Sequence, residues 1–245
     1  MTPVLEKEKN LLFLTISGSR AYGTHHNDSD YDIRGVFYNT PAELFGLQRR
    51  ESQEFNGDVM LHSLGKFTRL AAGANPNILE LLFIDEEYHL FVHDSFKPFL
   101  ENRGVFLSKK AKHSYSGYAM SQVKKCKSHS THGTLREQYK VGPENDAYDS
   151  KYAMHTCRLA LNGLEILENE WLTPSFTGES LEFLKEVRAG NVFANAQEFF
   201  KYVEDLDKNM AAVYETSNLR HTPNFDVINN LLITTYRNVY DIRGL

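Results

Sequence analysis

Gly18-Ser19 and, after ten further residues, Asp30-Tyr31-Asp32 are the residues of this chain best suited to do chemistry together. Their spacing can set two carboxylates beside a phosphate-binding turn. Oxygen donors of that kind suit magnesium, and a metal pair of that kind can hold a nucleoside triphosphate for attack at phosphorus. Glycine lets the backbone approach a ligand closely, and serine offers a hydroxyl. A lone D-x-D is common in polar turns, and two carboxylates side by side repel each other unless a cation joins them. The glycine-serine turn at the right distance favours a site over a decorated turn.

Two strands must position these groups. Leu11-Leu12-Phe13-Leu14-Thr15-Ile16 is a short apolar run with β-branched members, which predicts a buried strand ending at Gly18. Asn27-Asp28-Ser29 is a turn signal, and Tyr31 to Phe37 reads as the next strand. Residues two apart on a strand point the same way, so Asp30, Asp32 and Arg34 are expected on one face.

Here the chain resembles the DNA polymerase β-like nucleotidyltransferase superfamily. Gly18-Ser19-Arg20-Ala21-Tyr22-Gly23-Thr24 and Asp28-Ser29-Asp30-Tyr31-Asp32-Ile33-Arg34-Gly35 are similar to its branch of predicted bacterial and phage nucleotidyltransferases. So are Leu64-Gly65-Lys66-Phe67, Asn75 to Leu82, and Tyr148-Asp149-x-Lys151-Tyr152-Ala153-Met154-His155-x-x-Arg158-Leu159. The resemblance implies an α+β fold, with a small mixed-sheet catalytic domain over 1–105 and a helical domain over 106–245 closing the nucleotide cleft. It implies that Asp30 and Asp32 bind two magnesium ions, with manganese as an alternative. Asp58 would be the third metal ligand, with Glu51, Glu54 and Asp85 as competitors for that place. Gly18, Ser19, Arg20, Lys66, Lys151, His155 and Arg158 would bind the nucleotide. The implied reaction moves a nucleoside monophosphate from a triphosphate to an RNA end, a protein or a small molecule. A nucleotide- or RNA-binding regulatory protein of the same fold is the alternative.

Element signals agree with a sheet domain followed by helices. Up to about residue 105 short apolar runs alternate with helix-like segments. Ser63 to Ala72 predicts a helix, and Asn75-Pro76 starts another in which Ile78, Leu79, Leu81 and Leu82 pack on the sheet. Lys66 could reach a triphosphate or simply snorkel at the surface. After about residue 106 strand signals fade. Ser150 to Asn169 is the clearest helix, with Lys151, His155, Arg158, Asn162 and Glu165 on one face and Ala153, Cys157, Leu161, Leu164 and Leu167 beside it. That polar stripe is either a water-facing side or a set of phosphate ligands. Leu181 to Arg188 restarts a helix that Gly190 ends. Asn195 caps a helix to about Tyr214 that buries Phe199, Val203, Leu206, Met210 and Val213, and Phe225 to Val239 forms the last.

Composition sets the limits. With 245 residues, 41% hydrophobic and 24% charged, the chain can bury a sizeable core. Residues 1–10 lack the apolar core of a signal peptide, and no segment approaches a membrane span, so a cytoplasmic setting without a membrane partner is expected. Cys126 and Cys157 lack framework spacing, which makes a disulfide the weaker reading. Between 109 and 140 eight basic residues face Glu137 alone, a net +7 that leaves −12 for the remainder of the −5 chain. That segment suits a triphosphate or nucleic acid, with Tyr115, Tyr118 and His129 as stacking groups, or else is a solvated helix face. Cys126, His129 and His132 make a poor zinc set, lacking a fourth ligand. Dinucleotide and P-loop fingerprints are absent, as is any local signature of a serine or cysteine nucleophile. The repeat of Tyr31-Asp32-Ile33-Arg34-Gly35 at Tyr240 to Gly244 lacks the glycine-serine turn and reads as coincidence.

Overall fold

A computed structural model of the chain describes residues 8–26, 29–55, 57–131 and 137–241, with backbone alone for 127–131 and 137. Asn27, Asp28, Asn56, His132, Arg136, the first seven residues and the end of the 240–244 repeat lie outside the described residues, as do the side chains of Lys127 and His129. The chain forms two compact units, Met1–Phe106 with Thr222–Leu245, and Leu107–His221.

The first unit is built on a five-stranded mixed sheet of order β3-β4-β2-β1-β5, from β1 (Leu11–Ser17), β2 (Asp32–Phe37), β3 (Ser52–Phe55), β4 (Val59–Ser63) and β5 (His89–Val92). β1 is antiparallel to β2 and β5, β2 runs parallel to β4, and β3 and β4 form a hairpin. Period-2 alternation divides the sheet faces. Leu14, Phe37, Val59 and Leu61 are buried together on one face, with Ile33 beside them. Phe13 belongs to the other face, where an aromatic stack forms: Phe96 lies 5.0 Å from Phe13, 5.2 Å from Phe99 and 5.8 Å from Phe67 by ring centroids. Phe96 is fully buried at its centre. Phe96→Ala is therefore expected to cost about 3–5 kcal/mol through lost contacts and the cavity left behind, measured as a fall in urea stability.

Short helices follow the strands: α1 (Gly18–Ala21), α2 (Pro41–Phe45), α3 (Leu64–Ala72), α4 (Pro76–Leu79) and α5 (Lys97–Glu101). Ser63 caps α3 by accepting from Lys66 N, and Leu64, Phe67 and Ala71 bury its inner face. Pro76 takes the first position of α4 as expected, but the helix gives way to a 3₁₀ turn at Glu80–Leu82, and the Asn75 side chain makes no cap bond.

The second unit holds α6 (Lys110–Thr131), a small antiparallel ribbon of β6 (Lys140–Val141) and β7 (Tyr148–Asp149), α7 (Ser150–Asn169), α8 (Gly178–Ala189) and α9 (Ala196–Thr216). Asp149 caps α7, accepting from Lys151 N at 2.8 Å and Tyr152 N at 3.1 Å. Gly190, with φ 84°, takes the left-handed position that ends α8, and Asn195 caps α9 through Glu198 N at 3.0 Å. The core gathers Tyr148, Ala153, Cys157, Leu184, Val187, Phe193, Phe199 and Val203. Both cysteines are free and buried; burial pushes the Cys126 thiol up to about 12 and the Cys157 thiol higher still. Neither behaves as a nucleophile under those conditions.

The last helix, α10 (Phe225–Val239), packs with the first unit. Thr235 Oγ1 donates to Ser95 O at 3.1 Å, Tyr236 stacks on Tyr240 at 5.8 Å, and the Tyr240 hydroxyl donates to Asn39 O. No described helix is long and apolar enough to cross a membrane.

Candidate active site

The site begins where β1 stops. Ser17 pairs with Asp32 across β1 and β2, and its hydroxyl donates to Asp32 O at 3.1 Å. Gly18 then turns the chain into α1 with φ +68°. A β-carbon on Gly18 would overlap Asp32 Oδ2 and lie 3.0 Å from Asp32 Cβ and Cγ, so the carboxylate rests directly against the glycine. Ser19 follows; its carbonyl accepts from Thr24 N at 3.0 Å, while its hydroxyl makes no hydrogen bond among the described residues. The turn is anchored beneath by Tyr22, which is buried and donates its hydroxyl to Glu80 Oε1, itself only 2% exposed. This tie joins the turn to the segment after Asn75-Pro76 and explains why both stretches carry their residues. Sequence reasoning missed it because 58 positions separate the partners.

β2 begins at Asp32, one residue later than expected, so Asp30 stands in the exposed coil before it. Strand alternation therefore orders Asp32 and Arg34 but does not extend to Asp30. Arg34 Nη2 lies 3.4 Å from Asp32 Oδ1, both half-exposed, an ion pair worth little in stability but enough to offset charge on that face. Arg34 Nη1 also donates to Asp58 O at 3.4 Å. Asp58 sits just before β4, and its carbonyl accepts from Ile33 N at 2.9 Å, which places it beside Asp32 across the parallel pair. Its side chain is exposed, and among the described residues no three His, Cys, Asp or Glu groups are gathered closely enough to hold a metal. Glu51 is paired with Arg49 at 3.0 Å and Arg69 at 2.9 Å.

Arg20 is placed next to the pair but is engaged locally. Its Nη2 donates to Ser29 O at 2.6 Å and its guanidinium lies 3.8 Å from the Tyr31 ring centroid, clasping the loop that ends in Asp30. Lys66 is not brought to the pair. Phe37, not Asp32, stands opposite Ser63 at the α3 end of β4, five positions or roughly 16 Å along β2. There Lys66 Nζ donates to Ser52 Oγ at 2.7 Å, and Ser52 Oγ contacts His62 Nδ1 at 2.8 Å. Burial first, then Lys66 and Arg34, hold His62 down to about 4.

Lys151, His155 and Arg158 lie on α7 in the second unit. The stripe is not a plain water-facing side, because Arg158 is 4% and Asn162 1% exposed. His155 is held down to about 3, by burial first and then by Arg158, Lys151, Arg188 and Lys125. It is neutral when folded. Below its ordinary value of 6.5 the unfolded chain binds a proton that the folded chain refuses, so stability falls as pH drops from about 6.5 towards 3. His155 is expected to contribute a loss on the order of 1–2 kcal/mol between pH 6.5 and 5, visible as a lower urea midpoint that His155→Gln partly restores.

The basic segment 109–140 is partly consumed inside its own unit. The Lys109 ammonium sits 5.1 Å from the Tyr214 ring and Lys112 pairs with Asp207 at 3.3 Å. Tyr115 is fully buried, so the expectation that it offers a stacking face is corrected: α6 turns that residue towards α7, where Gly163 lies against it. Tyr118 instead lines a 340 Å³ groove with His113, Ser114, Gly117 and Ser121, which contains none of the expected site residues. Cys126 donates to Asp149 O at 3.5 Å rather than facing a metal.

Residues 3–234 match the RlaP model, the RNA repair pathway DNA polymerase beta family. A solved structure, that of a nucleotidyltransferase-like protein from Exiguobacterium sibiricum 255-15, is similar at 9% identity with a TM-score of 0.30, covering 98% of this chain and 77% of that one. That likeness is too distant to inform the site. No curated protein matches the chain.

Proposed function

This chain belongs to the RNA repair pathway DNA polymerase beta family, and from that premise we propose that it is a magnesium-dependent nucleotidyltransferase. The single observation that carries the reading is Asp32 resting against Gly18 at the end of β1, with Ser19 next in the turn and Asp30 two residues before Asp32 in the exposed coil. The residues fit the metal. Magnesium keeps several waters and takes one or two carboxylates plus substrate phosphates, and the Asp32 carboxylate against the glycine-serine turn, with the exposed Asp30 nearby in the chain, is a donor set of that chemistry. When bound, the ions would stabilise charge on the attacking and leaving oxygens. Manganese offers the same oxygen preference.

The residues then divide the work. An acceptor oxygen attacks the α-phosphorus of a triphosphate, the bond to the β-phosphate bridge oxygen breaks, and pyrophosphate leaves. Asp30 and Asp32 would hold the metals, and Asp58 would complete the set and take the acceptor's proton. Ser19 and nearby amides would hold the leaving phosphates; Lys151, His155 and Arg158 are phosphate-binding groups of the second unit in this reading. Arg20 shapes the loop that presents Asp30. The family's association with RNA repair makes an RNA end the first acceptor to try, ahead of a protein or small molecule.

The test is incubation with α-labelled triphosphates, magnesium and RNA, protein or small-molecule acceptors. Labelled product and pyrophosphate are expected from the wild type and not from Asp30→Ala/Asp32→Ala; equal product from both removes the proposed site. A second reading, nucleotide or RNA binding without turnover, is favoured by the three carboxylates not being gathered among the described residues. Calorimetry showing triphosphate binding unaffected by Asp58→Ala, with no product from any acceptor, selects it.

A further inference from the structure

We propose that Lys66, Ser52 and His62 bind a backbone phosphate of an acceptor RNA strand, and that the strand reaches Asp32 along the sheet face joining the two places. The proposal rests on the nucleotidyltransferase reading for what brings the strand to Asp32. It gives Lys66 a role other than the nucleotide contact expected of it.

Strand register lays out the path. Residues two apart on a strand share a face, and residues paired across a ladder share it too. Asp32, Arg34 and Val36 therefore line one face of β2. Met60 and His62 stand opposite Arg34 and Val36 on β4, and Glu54 and Ser52 stand opposite those two on β3. Asp58 lies beside Asp32 at the near end. Four positions along the chain separate Asp58 from His62, roughly 13 Å of strand. A stacked strand of nucleic acid advances about 3.4 Å per nucleotide, so the path holds about four nucleotides.

The far end has the chemistry of an oxyanion site. Lys66 Nζ donates to Ser52 Oγ at 2.7 Å, and Ser52 Oγ meets His62 Nδ1 at 2.8 Å, which sets three side chains able to donate next to one another. All three are half-buried, open to a ligand from solvent. Arg34, midway, is already paired with Asp32 at 3.4 Å. Lys66 makes no ion pair with a carboxylate among the described residues, and its ammonium meets a hydroxyl instead. An anion beside His62 would oppose the two cations, Lys66 and Arg34, that disfavour its proton.

The length of the path decides between ligands. The donor's phosphates must stay within reach of the metals and the glycine-serine turn, so they do not extend to Lys66. A protein acceptor carries no phosphate at that remove from its reacting hydroxyl. A nucleic-acid strand carries one per nucleotide. Glu54, exposed on the same face, repels such a strand and gives a second handle on the path.

Fluorescence anisotropy of the full chain with a labelled single-stranded RNA longer than the path, in EDTA, tests this without the metals. Lys66→Gln is expected to weaken binding about tenfold and to lower the slope of log K against log salt by about 0.7, the share of one phosphate. Lys66→Arg is expected to bind as the wild type does, and Glu54→Gln more tightly. A dinucleotide, too short to reach Lys66, is expected to show no difference between wild type and Lys66→Gln. If Lys66→Gln does not fold, Ser52→Ala and Glu54→Gln decide, the first expected to weaken binding and the second to strengthen it. The proposal is overturned if the long strand does not bind, or if these folded variants bind it with wild-type affinity and salt slope. It is also overturned if the loss is as large for the dinucleotide, or if polyglutamate displaces the strand as readily as unlabelled RNA does. RNA binding through Lys66 in a protein that transfers no label would keep the path and sink the transferase reading; label transfer to RNA that is indifferent to Lys66→Gln would do the reverse.

Discussion

Gly18→Ala is expected to lower nucleotide transfer about 100-fold while leaving the chain folded. The added methyl would occupy the space of Asp32 Oδ2. The backbone there is left-handed, at φ +68°, a conformation alanine adopts at a cost of about 1–2 kcal/mol. A stability loss of that size is tolerable in a domain with an intact aromatic core. Displacement of the carboxylate is not tolerable in the same way, because an error near 1 Å in a catalytic group can cost on the order of 10²-fold. Parallel measurement of melting temperature and of label transfer separates the two effects: a modest shift in the first with a collapse of the second is the expected pair. Gly18→Ala protein with full activity would show that Asp32 is free to act from another position.

Asp32→Asn is expected to do more. The amide keeps the shape and the contact with Gly18 but loses the negative charge. Metal-ion stabilisation of a phosphoryl transition state amounts to several kcal/mol, and each 1.36 kcal/mol is tenfold in rate, so loss of about 10²–10⁴-fold in kcat is anticipated. Arg34 makes the substitution informative. In Asp32→Asn its guanidinium faces a neutral amide, so the Asp32–Arg34 ion pair disappears. Because exposed pairs of this kind contribute about 0–1 kcal/mol, stability should barely change. A variant that melts normally and transfers nothing would isolate the chemical step. Equal rates with the wild type, measured at saturating magnesium, would remove Asp32 from the mechanism.

What the sequence revealed and what it hid follow from the range of the forces involved. Helix α7 was legible to its ends because its periodicity is local and Asp149 supplies the cap at once. The glycine-serine turn was legible because only local chain geometry is needed to make it. Asp30 was harder: the strand rule that paired it with Asp32 stops working where the strand starts. The two-residue strands β6 and β7 are too short to alternate. Lys66 had a plausible charge and position in the chain, but direction along β4 settles its neighbours, and strand direction is a product of the whole sheet. The charges that hold His155 neutral come from α6, α7 and α8, so no window of sequence contains them all. Helix α10 was read correctly as a helix, but an amphipathic stripe says only that something apolar is covered, not which unit supplies it.

That return of α10 carries a practical meaning. Asn224 N donates to Val105 O at 3.0 Å, so the two segments of the first unit meet where the second unit departs and comes back. Within the second unit, Lys109 N donates to Arg220 O at 2.8 Å, closing its own two ends in the same manner. The helical unit is thus an insertion in the chain of the first unit, with its own two ends held together. Loop-closure entropy rises only slowly with the length enclosed, so the first unit can host an insertion of this size, or another in its place, at small added expense. Lengthening or shortening the chain between those tied ends is expected to leave the pairing of β1 and β2, and with it Asp32, as it is.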